Sequence, residues 1–477
     1  MTTTAGRGMT AAQLVEAPQQ PARALPTALR RTLTVTIIGS MMAVLDTTIV
    51  NVALRSLAET FQAPLATIQW ATTAYTLALA AVIPTAASAM GRIGAKRSYL
   101  TALALFTLGS VLAAFAWDAG SLIAARAVQG LGGGLLMPVG MTMVMRAADG
   151  AQLGRAMALG GLPILIGPVL GPVLGGWLLD AASWHWIFLV NLPVGAAALV
   201  LAAKLLHSDR PNDSSAAPKL DLPGLLTLSP GLALLLFGLA RGGEQGDFTA
   251  AGALLPTLAG TLLVAAFGWR ALTARQPLLN LRLLRDRRLA AGIGTLALFT
   301  GGYFGSMLLG PVYWQQVRGV SATEVGLLGA PIGLTVGLTL QVAARRIDRV
   351  SPRRLITTGV ALGALGMALT GFQVGVPEVA AWRVVGSAMV MGVGAGMVLL
   401  PTMTTATRDL PKDQLAAAST VLSINSQVWA SAGTALISVL LGSAGTDPAG
   451  FRLTYVVAAG LLALGLLPAA LLPGRRA

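Results

Sequence analysis

The chain has 477 residues, of which 55% are hydrophobic and only 11% charged, and its mean hydropathy is +0.73. No water-soluble domain of this length has that composition, so a soluble enzyme or binding module is excluded. The net charge of +15 is spread over short segments between apolar runs rather than gathered into one basic face, which excludes a nucleic-acid-binding surface.

Residues 1–28 are polar and read as a disordered cytoplasmic tail. Fourteen apolar runs follow, near 33–54, 68–88, 98–117, 121–145, 155–179, 186–206, 222–240, 250–270, 290–314, 324–343, 355–373, 380–404, 415–441 and 452–472. Each is long enough to cross a bilayer as a helix, so the fold class is an all-α polytopic membrane protein. The first run is too long for a signal-peptide core and has no small-residue cleavage site, so it is a retained helix. With the N-terminus placed inside, all but six of the 33 Lys and Arg fall on inner segments; the exceptions are Arg55, Arg126, Arg241, Arg318, Arg383 and Arg452. This positive-inside bias predicts a multi-pass protein of the cell (inner) membrane with both termini in the cytoplasm, and the preference for Arg over Lys with the Ala/Gly/Leu bias fits a GC-rich bacterial genome.

The first span contains Asp46, the only carboxylate well within any span. Low dielectric penalises its charge and raises its proton affinity, which suits a group that takes up and releases protons near neutral pH. The bland alternative is a carboxylate fixed by the hydroxyls of Thr47 or Thr48. The fourth span carries Arg126 near its start and Gln129 one turn on. A buried guanidinium needs a partner, and Asp46 is the candidate, directly or through Gln129; otherwise Arg126 snorkels to the interface.

The fifth span is apolar yet full of helix breakers, with Pro163, Pro168 and Pro172. In lipid such a helix persists but bends. Gly167, Gly171 and Gly175 recur every four residues and leave a bare stripe that lets another helix come close. This pattern predicts a conformational role for Gly167, Pro168, Gly171, Pro172 and Gly175, with tight packing alone as the alternative.

Trp70, Tyr75, Gln129, Tyr303, Met307, Tyr313, Trp314, Asn425 and Gln427 are plausible liners of a substrate cavity. Flat aromatics and flexible Met suit varied hydrophobic molecules, although any of these could instead face lipid or the interface. There is no cysteine, hence no disulfide or thiol chemistry. His185 and His207 are the only histidines and sit at span ends, so no metal cluster is expected. No Walker A motif is present.

The segments 90–97 and 346–354 resemble each other: short and basic, each links the second and third helices of a six-helix block. Arg92 lies in the first, Asp348 and Arg349 in the second. The chain therefore divides into a six-helix bundle at 29–206, two additional helices with linkers at 207–289, and a second bundle at 290–477. Internal repeats of this kind mark secondary transporters, with a site near the midplane between the halves.

Taken together, these motifs resemble the major facilitator superfamily, in its fourteen-helix drug:proton antiporter family. The segments that carry the resemblance are Leu45–Leu54 in the first span, Gln69, Trp70 and Tyr75 in the second, and Arg126 with Gln129, Gly130 and Gly132–Gly134 in the fourth. The Gly/Pro motif of the fifth, Trp184–Gly195 at the sixth and Pro311, Tyr313, Gln316, Gly319 and Gly326 at the ninth-to-tenth junction complete it. The likeness runs from about residue 33 to 472. Gly91 stands where the family usually has an Asp before Arg92, whereas the second copy keeps Asp348-Arg349.

The resemblance implies a major facilitator fold, two six-helix bundles plus two extra helices. It also implies proton-coupled export of a small amphipathic organic substrate by alternating access, with Asp46 and Arg126 coupling the proton. Arg92, Asp348 and Arg349 would hold the interface closed on the inner side. The energy source would be the proton gradient, with no cofactor and no enzyme activity; the partners would be protons and membrane lipids, and the protein a monomer. A dedicated exporter of one self-made metabolite and a lipid transporter or flippase remain as alternatives.

Overall fold

The structure, a computed structural model, describes residues 25–148, 150–207, 221–274, 277–279, 281–320, 322–346, 350–376, 378–411, 414–444 and 447–474. Asp348 and Arg349 lie outside the described residues, as do residues 1–24 of the expected tail.

Among the described residues the regular structure is helical throughout. In hydrocarbon an open chain can satisfy its backbone polar groups only within a helix, and the apolar runs fold accordingly. The first half contains α1 (Thr27–Thr60), α2 (Leu65–Val82), α3 (Ala86–Ile93), α4 (Ala95–Ala114), α5 (Ala119–Ala147), α6 (Gly150–Gly160), α7 (Leu162–Ala181), α8 (His185–Leu189) and α9 (Asn191–Leu205). The added pair is α10 (Leu222–Gln245) and α11 (Ala251–Thr273). The second half contains α12 (Arg287–Ser306), α13 (Leu309–Val312), α14 (Ala322–Arg346), α15 (Pro352–Val374), α16 (Ala381–Thr407), α17 (Leu415–Ala444), α18 (Pro448–Leu464) and α19 (Leu466–Ala469).

Thirteen helices among the described residues are long and apolar enough to cross a membrane. The remaining expected span, the fifth, falls on α6 and the 20-residue α7. The chain is thus a multi-pass membrane protein with the fourteen-helix plan. The fifth span is interrupted, but not where proline alone would break it. The break is at Gly161, between α6 and α7, and Pro163 occupies the first turn of α7, where a missing N–H costs nothing. Beyond it α7 runs unbroken through Pro168 and Pro172 to Ala181.

Tight turns set the helix directions. Gly94, at φ 84°, joins α3 to α4 in a conformation that a side chain would oppose. Lys96 beside it donates to the carbonyls of Ala203 (2.6 Å) and Leu206 (2.8 Å), closing the C-terminus of α9 with a positive charge.

The basic end of the molecule is where α1 starts and α5 and α16 finish. There Leu25, Leu29 and Leu33 pack with Val144, Met145, Leu153 and Met157 of the first half and with Leu400, Leu410 and Leu415 of the second. Thr142 of α5 and Ser419 of α17 share a hydrogen bond of 2.7 Å across the same junction. At the opposite end Ile49, Leu57, Ile68, Leu122 and Phe188 form a cluster drawn from the first half alone. Among the described residues, the two halves are therefore closed against each other at the basic end.

The added helix α10 lies between the halves, against α2 on one side and α17 on the other. Near the basic end Leu225 and Leu228 meet Ala87, Val421 and Ile424. Further along, Phe237 and Arg241 face the Trp70 ring, at 5.5 and 5.3 Å, and Gly243 abuts Ala435. Asp221 anchors its base. Its carboxylate accepts from Gly224 N (3.0 Å), Arg270 Nε of α11 (2.8 Å) and Leu278 N of the following linker (3.0 Å). Burial alone would push this carboxyl up; Arg270 and the two backbone donors outweigh it and hold it below the ordinary carboxylate range.

Candidate functional site

The site is assembled by four helices of the first half around Asp46, in mid-α1 and only 1% exposed. On α5, Asp118 and Ser121 form a reciprocal capping box that fixes where the helix begins (Ser121 N to Asp118 Oδ1, 2.6 Å). Two turns later Arg126 and Gln129, spaced i,i+3, project from one face toward α1. The Gly130–Gly134 region brings the neighbours close. A Cβ on Gly130 or Gly134 would overlap the carbonyls of Tyr75 or Leu79 on α2, and one on Gly133 would lie 2.6 Å from the Tyr75 hydroxyl. Gly109 gives α4 the same access to the backbone of Gln129.

Arg126 Nη1 donates to Asp46 Oδ2 (2.6 Å) and to Gln129 Oε1 (2.6 Å). Gln129 Nε2 in turn donates to Asp46 Oδ1 (2.7 Å). The Arg126 guanidinium lies 4.3 Å from the centroid of the Tyr75 ring, in the geometry of a cation–π contact. Its Nε and Nη2 find no acceptor among the described groups. Asn191, the first residue of α9, donates to Asp46 Oδ1 (3.1 Å) and to Ser110 Oγ of α4 (3.0 Å). Ser110 Oγ in turn donates to the Phe188 carbonyl (2.9 Å).

An isolated buried charge is costly, but here each carboxylate oxygen has donors and the positive partner is fully desolvated with it. The arrangement can switch. While Asp46 is charged, three side chains converge on it; a proton on it removes the attraction to Arg126 and forces at least one donor away.

The glycine stripe of α7 faces this same stretch of α1. Gly167 packs on Val44, Gly171 on Thr48 and Gly175 on Ile49. Thr48 Oγ1 also donates to the Gly167 carbonyl (3.3 Å). The stripe therefore seats the Asp46 helix within its own half, and α7 also packs against α14 of the other half.

The residues expected to line a cavity are dispersed. Tyr75 and Gln129 belong to the Asp46 shell, and Trp70 lies against α10. Tyr303, Tyr313 and Trp314 are buried in the apolar cluster of the second half, Tyr303 stacked on Phe299 at 5.9 Å. Tyr313 also lines a cavity of about 320 Å³ with Arg318 and Glu378. Met307 is 46% exposed at the end of α12, and Asn425 Nδ2 donates to the Ile293 carbonyl, tying α17 to α12. Gln427 is half-buried on α17, and Arg92 is exposed in the last turn of α3. Asn191, part of the Trp184–Gly195 segment, and Ser110 are partners in the Asp46 network to which the sequence analysis gave no role. Among the described residues no group of His, Asp or Glu could hold a metal ion.

The family model described as Major Facilitator Superfamily matches residues 36–434. The chain is 42% identical over 422 residues to the multidrug resistance protein B homolog of Mycobacterium tuberculosis, covering 87% of this chain and 77% of that protein. Two solved structures share the fold. The human organic anion transporter MFSD10 (TETRAN) matches with a TM-score of 0.65 at 16% identity, over 94% of this chain and 100% of that one. The proton:xylose symporter XylE matches with a TM-score of 0.65 at 16% identity, over 93% and 95%.

Proposed function

The chain belongs to the major facilitator superfamily and is a transporter, and from that premise we propose that it is a proton-coupled antiporter exporting amphipathic, lipophilic drugs or antibiotics by alternating access. The observation that carries this reading is the buried Asp46–Arg126 pair. Asp46 is the proton carrier and Arg126 the group that senses its charge. The resemblance to a protein named for multidrug resistance supports drugs as the cargo. The basic end faces the cytoplasm, in keeping with the positive-inside rule. The conformation is then closed toward the cell interior and receives protons from outside.

Arg126 sits on α5, and α5 reaches the second half through Thr142 and Ser419 at the closed end. Protonation of Asp46 releases Arg126 from α1, loosens α1 against α5 and so weakens the closure. A hydrogen bond to a charged group contributes about 1.5–3 kcal/mol. A bias of that size moves the balance between two states by roughly ten- to hundredfold. The substrate occupies the space between the halves, where Trp70, Met307 and Gln427 are the proposed contacts.

The test is Asp46→Asn in proteoliposomes. It is expected to abolish export driven by a pH gradient while leaving membrane insertion and the binding of a neutral substrate in place. Export at the wild-type rate under the same gradient overturns the reading.

A further inference from the structure

We infer that Asn191 is a positioning residue for Asp46, holding its carboxylate in the charged form and setting the pH at which the transporter switches. The inference rests on the proposed role of Asp46 as proton carrier.

Asn191 opens α9, directly after α8, and is 4% exposed. An Asn at a helix start commonly caps its own helix. No side-chain cap closes the start of α9. The amide is turned inward instead, with Nδ2 shared between Asp46 Oδ1 and Ser110 Oγ. Its orientation follows from chemistry. A charged Asp46 offers only acceptors, and the Ser110 proton is engaged with the Phe188 carbonyl, so both neighbours require the NH2 side of Asn191.

The two amides on Asp46 differ in their freedom. Gln129 is pinned at its other end because Oε1 accepts from Arg126; turning it over would set an NH2 group against the guanidinium. Asn191 is tied at its other side only to Ser110, whose hydroxyl can turn away from the Phe188 carbonyl and donate to the amide oxygen instead. When a proton arrives on Asp46, Asn191 is the neighbour that can rotate and let Oδ1 receive it. Asn191 therefore links the protonation state of α1 to α4 and to the α8–α9 junction.

The titratable groups facing Asp46 from the packed elements are Arg126 of α5 and Tyr75 of α2. The face of α7 toward α1 is glycine at Gly167, Gly171 and Gly175. On α8 the His185 ring lies tilted against Trp184, with ring centroids 3.8 Å apart. Asn191 is the neutral donor from the α4 and α9 side.

The experiment measures substrate binding, by tryptophan fluorescence quenching, against pH for the full-length protein in proteoliposomes. The probe is one monocationic lipophilic dye, applied to the wild type and to Asp46→Asn, Asn191→Leu, Asn191→Asp and Ser110→Ala. Loss of one donor to a charged group corresponds to a midpoint shift of about one pH unit. Asn191→Leu is expected to move the midpoint to higher pH by that amount, with the amplitude kept. Asn191→Asp, the same shape with an added carboxyl, moves it further in the same direction. Ser110→Ala, which only loosens Asn191, gives a smaller shift and serves if the Leu variant does not insert. A midpoint that Asp46→Asn abolishes but the Asn191 and Ser110 variants leave at the wild-type value overturns the role of Asn191 alone. A profile indifferent to Asp46→Asn overturns both this inference and the proton-carrier reading beneath it.

Discussion

Gly171 of α7 lies so close to Thr48 of α1 that a single methyl group on it would overlap the Thr48 hydroxyl. Thr48 is two residues from Asp46, so the bare stripe sets the position of the carboxylate. Overpacking of this kind costs about 1–3 kcal/mol. Gly171→Ala should lower transport by roughly tenfold or more with insertion preserved. Gly176→Ala on the same helix, where a Cβ meets nothing within 4 Å, should transport like the wild type. Flux in proteoliposomes compares the two, and equal rates would separate the stripe from the site.

Arg126 uses one nitrogen for two acceptors and its flat face for Tyr75. Lysine keeps the charge but not the flat surface that lies over the Tyr75 ring. Arg126→Lys should lose about 1.5–3 kcal/mol of coupling, tenfold or more in export rate. Arg126→Ala strands Asp46 without its partner, a change of about 3–5 kcal/mol, and should be inactive. Drug efflux from a host lacking its own exporters ranks the two; wild-type efflux by both would make Arg126 dispensable.

Asp221 gives a pH dependence of stability with a definite sign. Its folded carboxyl is held below the ordinary value by Arg270 and the N–H groups of Gly224 and Leu278, against the opposing effect of burial. Such a group adds stability above its unfolded pKa, and that contribution is lost as pH falls through the folded pKa. Asp221→Asn should therefore melt earlier than wild type at pH 7, and the gap should narrow as the pH is lowered below the carboxylate range. A gap that stays constant with pH, followed by thermal unfolding in detergent, would show that charge is not what Asp221 contributes.

Substrate charge should be restricted. Among the residues of described burial, Asp46 is the only carboxylate buried within a span, and Glu324 and Glu378 are exposed. A second unpaired cation in low dielectric would cost several kcal/mol. Neutral and monocationic lipophiles should be exported and a rigid dicationic bisamidine should not. Resistance assays with a monocationic dye beside the bisamidine decide it, and equal protection against both would require a second buried acid.

Much of this was legible in the sequence because the bilayer leaves few options. Apolar length alone marks α1, α4, α5 and the α8–α9 segment as spans, and a carboxylate and a guanidinium inside two of them have few partners but each other. Less legible was what depends on helix rotation. The pattern at Gly167, Gly171 and Gly175 announces a close neighbour but does not say that the neighbour is α1. Asn191 precedes Leu192 and Pro193, so it reads as an ordinary helix start; nothing local signals that its amide turns inward. The scattered aromatics are hard to place for the same reason. Tyr303 and Trp314 have the chemistry of cavity walls, yet both lie in the apolar cluster of the second half, which spacing along the chain does not reveal.

The placement of α10 makes the two flanks of the transporter unequal. On one flank a third body is inserted between α2 and α17, touching each along one side, and is backed by α11, most of whose surface is uncovered. On the other flank α7 and α14 meet directly. The seam between the halves is therefore two helix contacts deep on the side of the added pair, α2 to α10 and α10 to α17, and one deep on the side of α7 and α14. Movement of one half against the other has two surfaces to shift on the first side and one on the second.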